Sequence, residues 1–243
     1  MLTVIRAVQR KLNPDPELIR KLFHIGMGLF ALSFPFLIPT RGAALLLCGA
    51  TIGLLVALRR VKKLRENFGA VLGSVTRRSN GEMYFAVGVT AIFCLAKDEI
   101  LLYAIPILVL TFADAAAALI GENFGKHPFC IVEDQKSIEG CLAFLTVATA
   151  FIYAPLVMLT KIESGAAMLL AVTLGLLLTL VEALSWCGLD NLFIPVAGFL
   201  FLKDLFNRTH EELISTSLLT ILIIFLVGQD RKYAENHSRT RRA

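Results

Sequence analysis

Asp114 sits inside the apolar, alanine-rich stretch TFADAAAALIGENFGK. A carboxylate in hydrocarbon costs roughly 3 to more than 10 kcal/mol, depending on the scale, so this one needs a partner. Other polar side chains recur at the ends of apolar runs: Arg20, Lys21 and His24, then Lys136, then Glu182, then Asp190 and Asn191. Acids and cations together suit a polyanion held with a divalent metal. Asp114, Glu182, Asp190 and the Asn191 amide offer hard oxygen ligands for Mg2+, which usually keeps waters and phosphate oxygens in its remaining positions. Lys136, Lys126, Arg20 and Lys21 can neutralise phosphates. Gly121, Gly125 and Gly140 let backbone N–H groups approach an anion closely. Ser137 to Gly140 form the first turn of a further apolar helix, where the dipole is positive.

Each of these residues also has a plainer explanation. Arg20 and Lys21 can be interfacial anchors only, as cations at the ends of membrane helices often are. A lone histidine such as His24 is often a satisfied interior group. Gly121 and Gly125 have GxxxG spacing, which permits close helix packing. Glu182 and Asp190 can be structural polar groups, whereas Asp114 is the hardest to explain without a ligand, because an unpartnered buried acid is costly.

The elements that must position these groups are membrane helices. Hydrophobic residues make up 56% of the 243, charged residues only 18%, and the mean hydropathy is +0.72, which excludes an ordinary soluble domain. Apolar runs suit an all-α, polytopic bundle with about eight spans. These run from about Leu22 to Pro39, Ala43 to Leu58, Met83 to Ala96, Ile100 to Gly121, Ile138 to Thr160, Gly165 to Ser185, Leu192 to Leu202 and Leu213 to Gly228. The Leu192 to Leu202 run rises only about 17 Å as a helix, so a re-entrant segment and seven crossings is the alternative.

Charge arbitrates between the two. With eight crossings, 19 of the lysines and arginines fall on the side shared by both termini and 5 on the other, so the positive-inside bias favours eight crossings with both termini cytoplasmic. Arg20, Lys21, His24, Asp114, the 122–137 loop, Glu182 and Asp190 then all approach the cytoplasmic face. Residues 1–21 read as a basic amphipathic segment on the inner leaflet, and not as a signal or transit peptide. Residues 22–228 read as one transmembrane catalytic domain, and 229–243 as a basic disordered tail with no nucleic-acid motif. The five cysteines are scattered, without metal spacing.

GENFGKH is not a P-loop. That motif needs four residues between its glycines and Ser or Thr after the lysine, following a strand; here His127 follows Lys126 and a membrane helix precedes.

Four blocks carry a family resemblance: RKLFHIGMG from Arg20, GEMYFAVG from Gly81, DAAAALIGENFGK with the later KSIEG from Asp114 to Gly140, and EALSWCGLDNLFIP from Glu182. In order and content they resemble the CTP-dependent lipid alcohol kinases, comprising dolichol kinase, phytol kinase and the yeast-type diacylglycerol kinase. The resemblance implies transfer of the γ-phosphoryl group of CTP to a membrane-embedded alcohol. It implies Asp114, Glu182, Asp190 and Asn191 around Mg2+. Arg20, Lys21, Gly121, Gly125, Lys126, Ser137, Glu139 and Gly140 would lie around the nucleotide, and Lys136 against its phosphates. His24, Glu182 and the aspartates stay open as the general base, and polyprenol, phytol-like alcohol and diacylglycerol stay open as acceptor. The related phosphatidate cytidylyltransferases share the Asp, Gly, FGK and lysine pattern but end in an HGG and DRxD signature, where this chain reads GLDNLFIP. A transporter of an anionic solute would also explain buried charge, but no inverted repeat is evident.

Overall fold

A computed structural model describes residues 16–60, 80–96, 99–131 and 134–240. The amphipathic pattern between Val4 and Leu12 and most of the basic loop after Arg60 lie outside these residues. The helices are α1 (Pro16–Leu32), α2 (Phe34–Leu37), α3 (Arg41–Arg60), α4 (Gly81–Ala96), α5 (Ile100–Leu108), α6 (Asp114–Phe124), α7 (Ile138–Leu159), α8 (Ser164–Leu184), α9 (Asp190–Leu205) and α10 (His210–Thr240). A π-helical segment, Val109–Ala113, joins α5 to α6 without a break. The all-α expectation holds, and α6 and α7 are joined by one short antiparallel hairpin of β1 (Pro128–Ile131) and β2 (Asp134–Ser137), with Phe129 opposite Lys136 and Ile131 opposite Asp134.

Among the described residues, three helices are long and apolar enough to cross a membrane by length and composition, namely Ile100–Phe124, Ile138–Leu159 and Ser164–Leu184; Arg41–Ala57 and Gly81–Ala96 are apolar but shorter. The first expected span does not form one rod: α1 ends at Leu32, and α2 restarts after Ser33, whose hydroxyl donates to the Phe30 carbonyl at 2.6 Å, with proline in its first turn. The Leu192 to Leu202 run belongs to a longer helix, Asp190–Leu205, because the polar pair Asp190–Asn191 forms its first turn. The last helix continues past Gly228 to Thr240.

The continuous Ile100–Phe124 helix is the centre, touched by α1, α4, α7 and α9, while α8 joins α7, α9 and α10. Its apolar side chains Ile105, Ile107 and Leu110 are fully buried, as are Phe144 and Ile152 of α7 and Leu174 and Leu178 of α8. Outward leucines such as Leu45, Leu46, Leu218 and Leu219 are exposed, as lipid contact requires. Caps fix two helix starts. The Ser137 hydroxyl accepts from the Gly140 N–H at 3.1 Å at the head of α7. Thr209 and Glu212 exchange bonds ahead of α10, with the Thr209 N–H donating at 2.8 Å and the Glu212 N–H returning at 3.4 Å.

Candidate functional site

Lys21, His24 and Gly28 recur at helical spacing, so they form one stripe of α1. That stripe lies against the central helix. Gly28 makes the approach possible, since a Cβ there would fall 2.0 Å from the Thr111 hydroxyl. One turn further along, the Tyr103 hydroxyl donates to the Ala31 carbonyl at 2.7 Å. At the other end Lys21 Nζ donates to Asp114 Oδ2 at 2.7 Å, and both residues are only 6% exposed. The partner that Asp114 requires is thus a lysine 93 positions away. Between the two contacts, His24 Nε2 meets the Leu110 carbonyl at 3.0 Å and stands 3.6 Å from Asp114 Oδ2, with Phe85 of α4 edge-on to its ring. Pro106 precedes this region and removes a backbone donor. The π register that follows offsets the backbone pattern just ahead of Asp114, a device common at functional sites.

A second ion pair faces the first from the hairpin. Lys136 of β2 pairs with the Glu182 carboxylate of α8 and also donates to its main-chain carbonyl at 3.1 Å. The Cys141 thiol donates to the other Glu182 oxygen at 3.8 Å. Burial alone would push the Lys136 ammonium down, but the charges of Glu182, Asp190 and Asp114 together hold it above the ordinary lysine value. Those same three acids are the ones that the sequence places at separate helix ends. Asp190 in turn lies within the field of Asp114, Lys136 and Lys21, so the two pairs form one electrostatic cluster.

Asp190 and Asn191 open α9 after a tight reversal in which Cys187 has φ 53° and Gly188 φ 82°. The Asn191 N–H and its Nδ2 donate to Asp190 Oδ1 at 2.8 and 2.9 Å, and Nδ2 also reaches the Gly188 carbonyl at 3.2 Å. Both neighbours of Nδ2 are acceptors, which fixes the amide orientation. Asn191 Oδ1 is left buried with no hydrogen-bond partner, alone in this among the described residues. Gly88 lets α4 reach this point, because a Cβ there would stand 2.7 Å from the Asn191 carbonyl.

The remaining sequence candidates lie around this cluster in different ways. Gly121, Gly125 and Gly140 meet at Ser137. A Cβ on Gly125 would lie 2.9 Å from the Ser137 side chain, one on Gly121 3.0 Å from its hydroxyl, and one on Gly140 2.9 Å from the Ala117 carbonyl. All three stand where α6 packs against β2 and α7, and at Gly125 a Cβ would also lie 2.2 Å from the Gly121 carbonyl. In the first turn of α7, the Gly140 N–H is taken by Ser137 and the Ile138 N–H by the His127 carbonyl at 3.1 Å. Glu139 turns outward and its carboxylate meets His127 Nδ1 at 2.6 Å. Lys126 and Arg20 are exposed, Arg20 beside Lys21 on α1.

The donor set fits Mg2+ only in the partial manner usual for that ion. Among the described residues no group of three or more His, Cys, Asp or Glu side chains is arranged to enclose a metal. Mg2+, however, is commonly held by one or two carboxylates, with phosphate and water completing the octahedron. Asp114, Asp190 and the unpartnered Asn191 oxygen are donors of that kind.

Sequence reasoning missed two residues. The Asp134 carboxylate accepts from the Cys187 N–H at 2.5 Å, tying β2 to the turn before α9, and His127 anchors Glu139. For Asp134 a signal existed, since Asp134 and Lys136 are two apart and share one face of a strand.

Fold and site define a helical integral membrane protein with an enclosed acid–base cluster drawn from α1, α6, β2, α8 and α9. No family model and no solved structure matches the sequence. Among curated proteins, a phytol kinase of Synechocystis sp. (strain ATCC 27184 / PCC 6803 / Kazusa) is 30% identical over 191 residues, covering 76% of this chain and 77% of that protein. The chain belongs to the CTP-dependent lipid alcohol kinase family.

Proposed function

We propose that this protein transfers the γ-phosphoryl group of CTP to the hydroxyl of a membrane lipid alcohol, with an isoprenoid alcohol of the phytol class as acceptor. The observation that carries this reading is the convergence of Lys21–Asp114, Lys136–Glu182 and Asp190–Asn191 in one partly buried cluster, with one amide oxygen left unpartnered. The phytol kinase relative supports the acceptor class.

In the proposed reaction the alcohol oxygen bonds to the γ-phosphorus, the bond from that phosphorus to the β–γ bridging oxygen breaks, and CDP leaves. Such transfer asks for in-line positioning and charge neutralisation more than for covalent chemistry. Lys21 and Lys136 are each held by one carboxylate, so an arriving triphosphate exchanges one anionic partner for another. Asp114 and Asp190, with Asn191 Oδ1, would hold Mg2+, which supplies neutralisation of phosphate charge when bound. His24 Nε2 is committed to the Leu110 carbonyl, so His24 has only Nδ1 to offer as a base, and the carboxylates Asp190 and Glu182 are the other groups able to accept the hydroxyl proton. Through Nε2, His24 also holds the Leu110 carbonyl of the π segment that leads into Asp114. The positive-inside count supports eight crossings with the site open to cytosolic CTP. Transfer of label from CTP to organic-extractable lipid by purified protein tests the reading.

A further inference from the structure

We infer that Asp134 is a positioning residue for the Asp190–Asn191 pair: through the Cys187 N–H it holds the left-handed turn that fixes where α9 begins. The inference rests, for its activity arm, on the phosphoryl-transfer reading above.

The chain reverses between α8, ending at Leu184, and α9, beginning at Asp190. Two successive residues in this link have positive φ, and the first of them, Cys187, carries a side chain. That backbone region is readily adopted by glycine and, less so, by asparagine and aspartate, but not by a cysteine, so an external hold favours the turn. β2 supplies it from one face of the strand. Lys136 grips the end of α8 through both the carboxylate and the carbonyl of Glu182, and Asp134, two residues earlier on that face, grips the turn itself at 2.5 Å. A carboxylate accepting a backbone N–H is a charge-assisted bond. Beyond Cys187 the chain has no slack. The Leu189 N–H donates to the Trp186 carbonyl at 3.0 Å and the Asn191 N–H to the Gly188 carbonyl at 3.2 Å. Any rotation at Cys187 therefore passes directly to Asp190 and to the Asn191 oxygen.

Three variants separate positioning from direct contact with a ligand. Asp134→Asn keeps an acceptor oxygen and loses the charge. Asp134→Ala loses both. Cys187→Gly removes the backbone penalty that makes the hold necessary. The measurements are hydrogen–deuterium exchange of the peptide covering residues 185–192 and steady-state lipid phosphorylation, both on the full chain in lipid or detergent. Asp134→Ala should speed exchange in that peptide and lower turnover about ten- to a hundredfold, as misplaced catalytic groups do. Asp134→Asn should keep wild-type exchange and stay within about threefold of wild-type turnover, well inside the scale set by misplacement. Adding Cys187→Gly to Asp134→Ala should restore most of both. If Asp134→Ala does not fold alone, recovery of folded protein by Cys187→Gly supports the inference and its failure overturns it. Asp134→Asn losing as much activity as Asp134→Ala, with unchanged exchange, also overturns it, because the charge itself would then be in use. The exchange arm reads the turn even if no lipid is phosphorylated, so failure of the functional reading remains distinguishable.

Discussion

His24 Nε2 stands 3.0 Å from the Leu110 carbonyl, and a carbonyl can only accept, so Nε2 carries the proton of that bond. The ring is thereby fixed on the π segment that leads into Asp114. Glutamine places an N–H donor near the Nε2 position, whereas alanine does not. His24→Gln should therefore keep turnover within about tenfold of wild type, and His24→Ala should lose about a hundredfold or more, the scale of misplaced catalytic groups. Equal, complete loss in both variants, measured as kcat on folded protein, would make His24 the base instead.

The Lys21–Asp114 pair predicts an asymmetry between stability and activity. Removing one member of a buried pair leaves the other unpaired and costs ~3–5 kcal/mol in measured cases, while replacing both with apolar groups is often neutral. Asp114→Asn and Lys21→Met should each lower the melting temperature. Lys21→Met with Asp114→Leu should recover melting but remain inactive, with turnover down two to three orders of magnitude or more for a lost charge interaction of ~3–4 kcal/mol. A double variant with near-normal turnover would show that the pair is only structural.

Lys136 gives a pH test. Its value in the folded protein is raised by Glu182, Asp190 and Asp114 against the effect of burial, so the charged pair is fully present below the ordinary lysine value of about 10.4. It is lost only as pH rises through the still higher folded value. Wild type and Lys136→Arg, whose guanidinium stays protonated throughout, should have parallel normalised kcat/KM profiles up to about pH 10. An alkaline fall seen in wild type alone below that pH would contradict the pairing.

Much of this site was legible because it is written in residue types that hydrocarbon penalises. Asp114 and Glu182 are conspicuous inside apolar runs and Lys136 and Asp190 at their edges, and the structure places the three acids around Lys136. Partnership was not legible. Nothing local in RKLFHIGMG shows that Lys21 belongs to Asp114, because that contact depends on Gly28 admitting Thr111. The glycines have a second role that the sequence does not show: Gly121 and Gly125, which read as a phosphate cradle, also admit the Ser137 side chain. In the sequence Gly88 only closes the GEMYFAVG block, whereas in the fold it admits the Asn191 backbone. The hairpin escaped because DQKS is short, polar and flanked by helices, so no period-two apolar pattern marks it.

Sidedness is tested by cysteine labelling in intact cells. A cysteine at Lys62 or Glu133 should resist an impermeant reagent until the membrane is opened, whereas one at Arg41 should label from outside. The 19 to 5 charge division motivates this. Outside labelling at position 62 would reverse the topology and remove access of the site to cytosolic CTP.

The central claim is tested most directly by offering purified protein CTP labelled in either the γ or the α position, with Mg2+, against phytol, a polyprenol, diacylglycerol and phosphatidate. The γ label should move to an organic-extractable monophosphate of an isoprenoid alcohol, and the α label should stay in the aqueous phase as CDP. Recovery of the α label in a CDP-lipid made from phosphatidate would contradict the account, since the α-phosphorus and not the γ would then be the centre attacked.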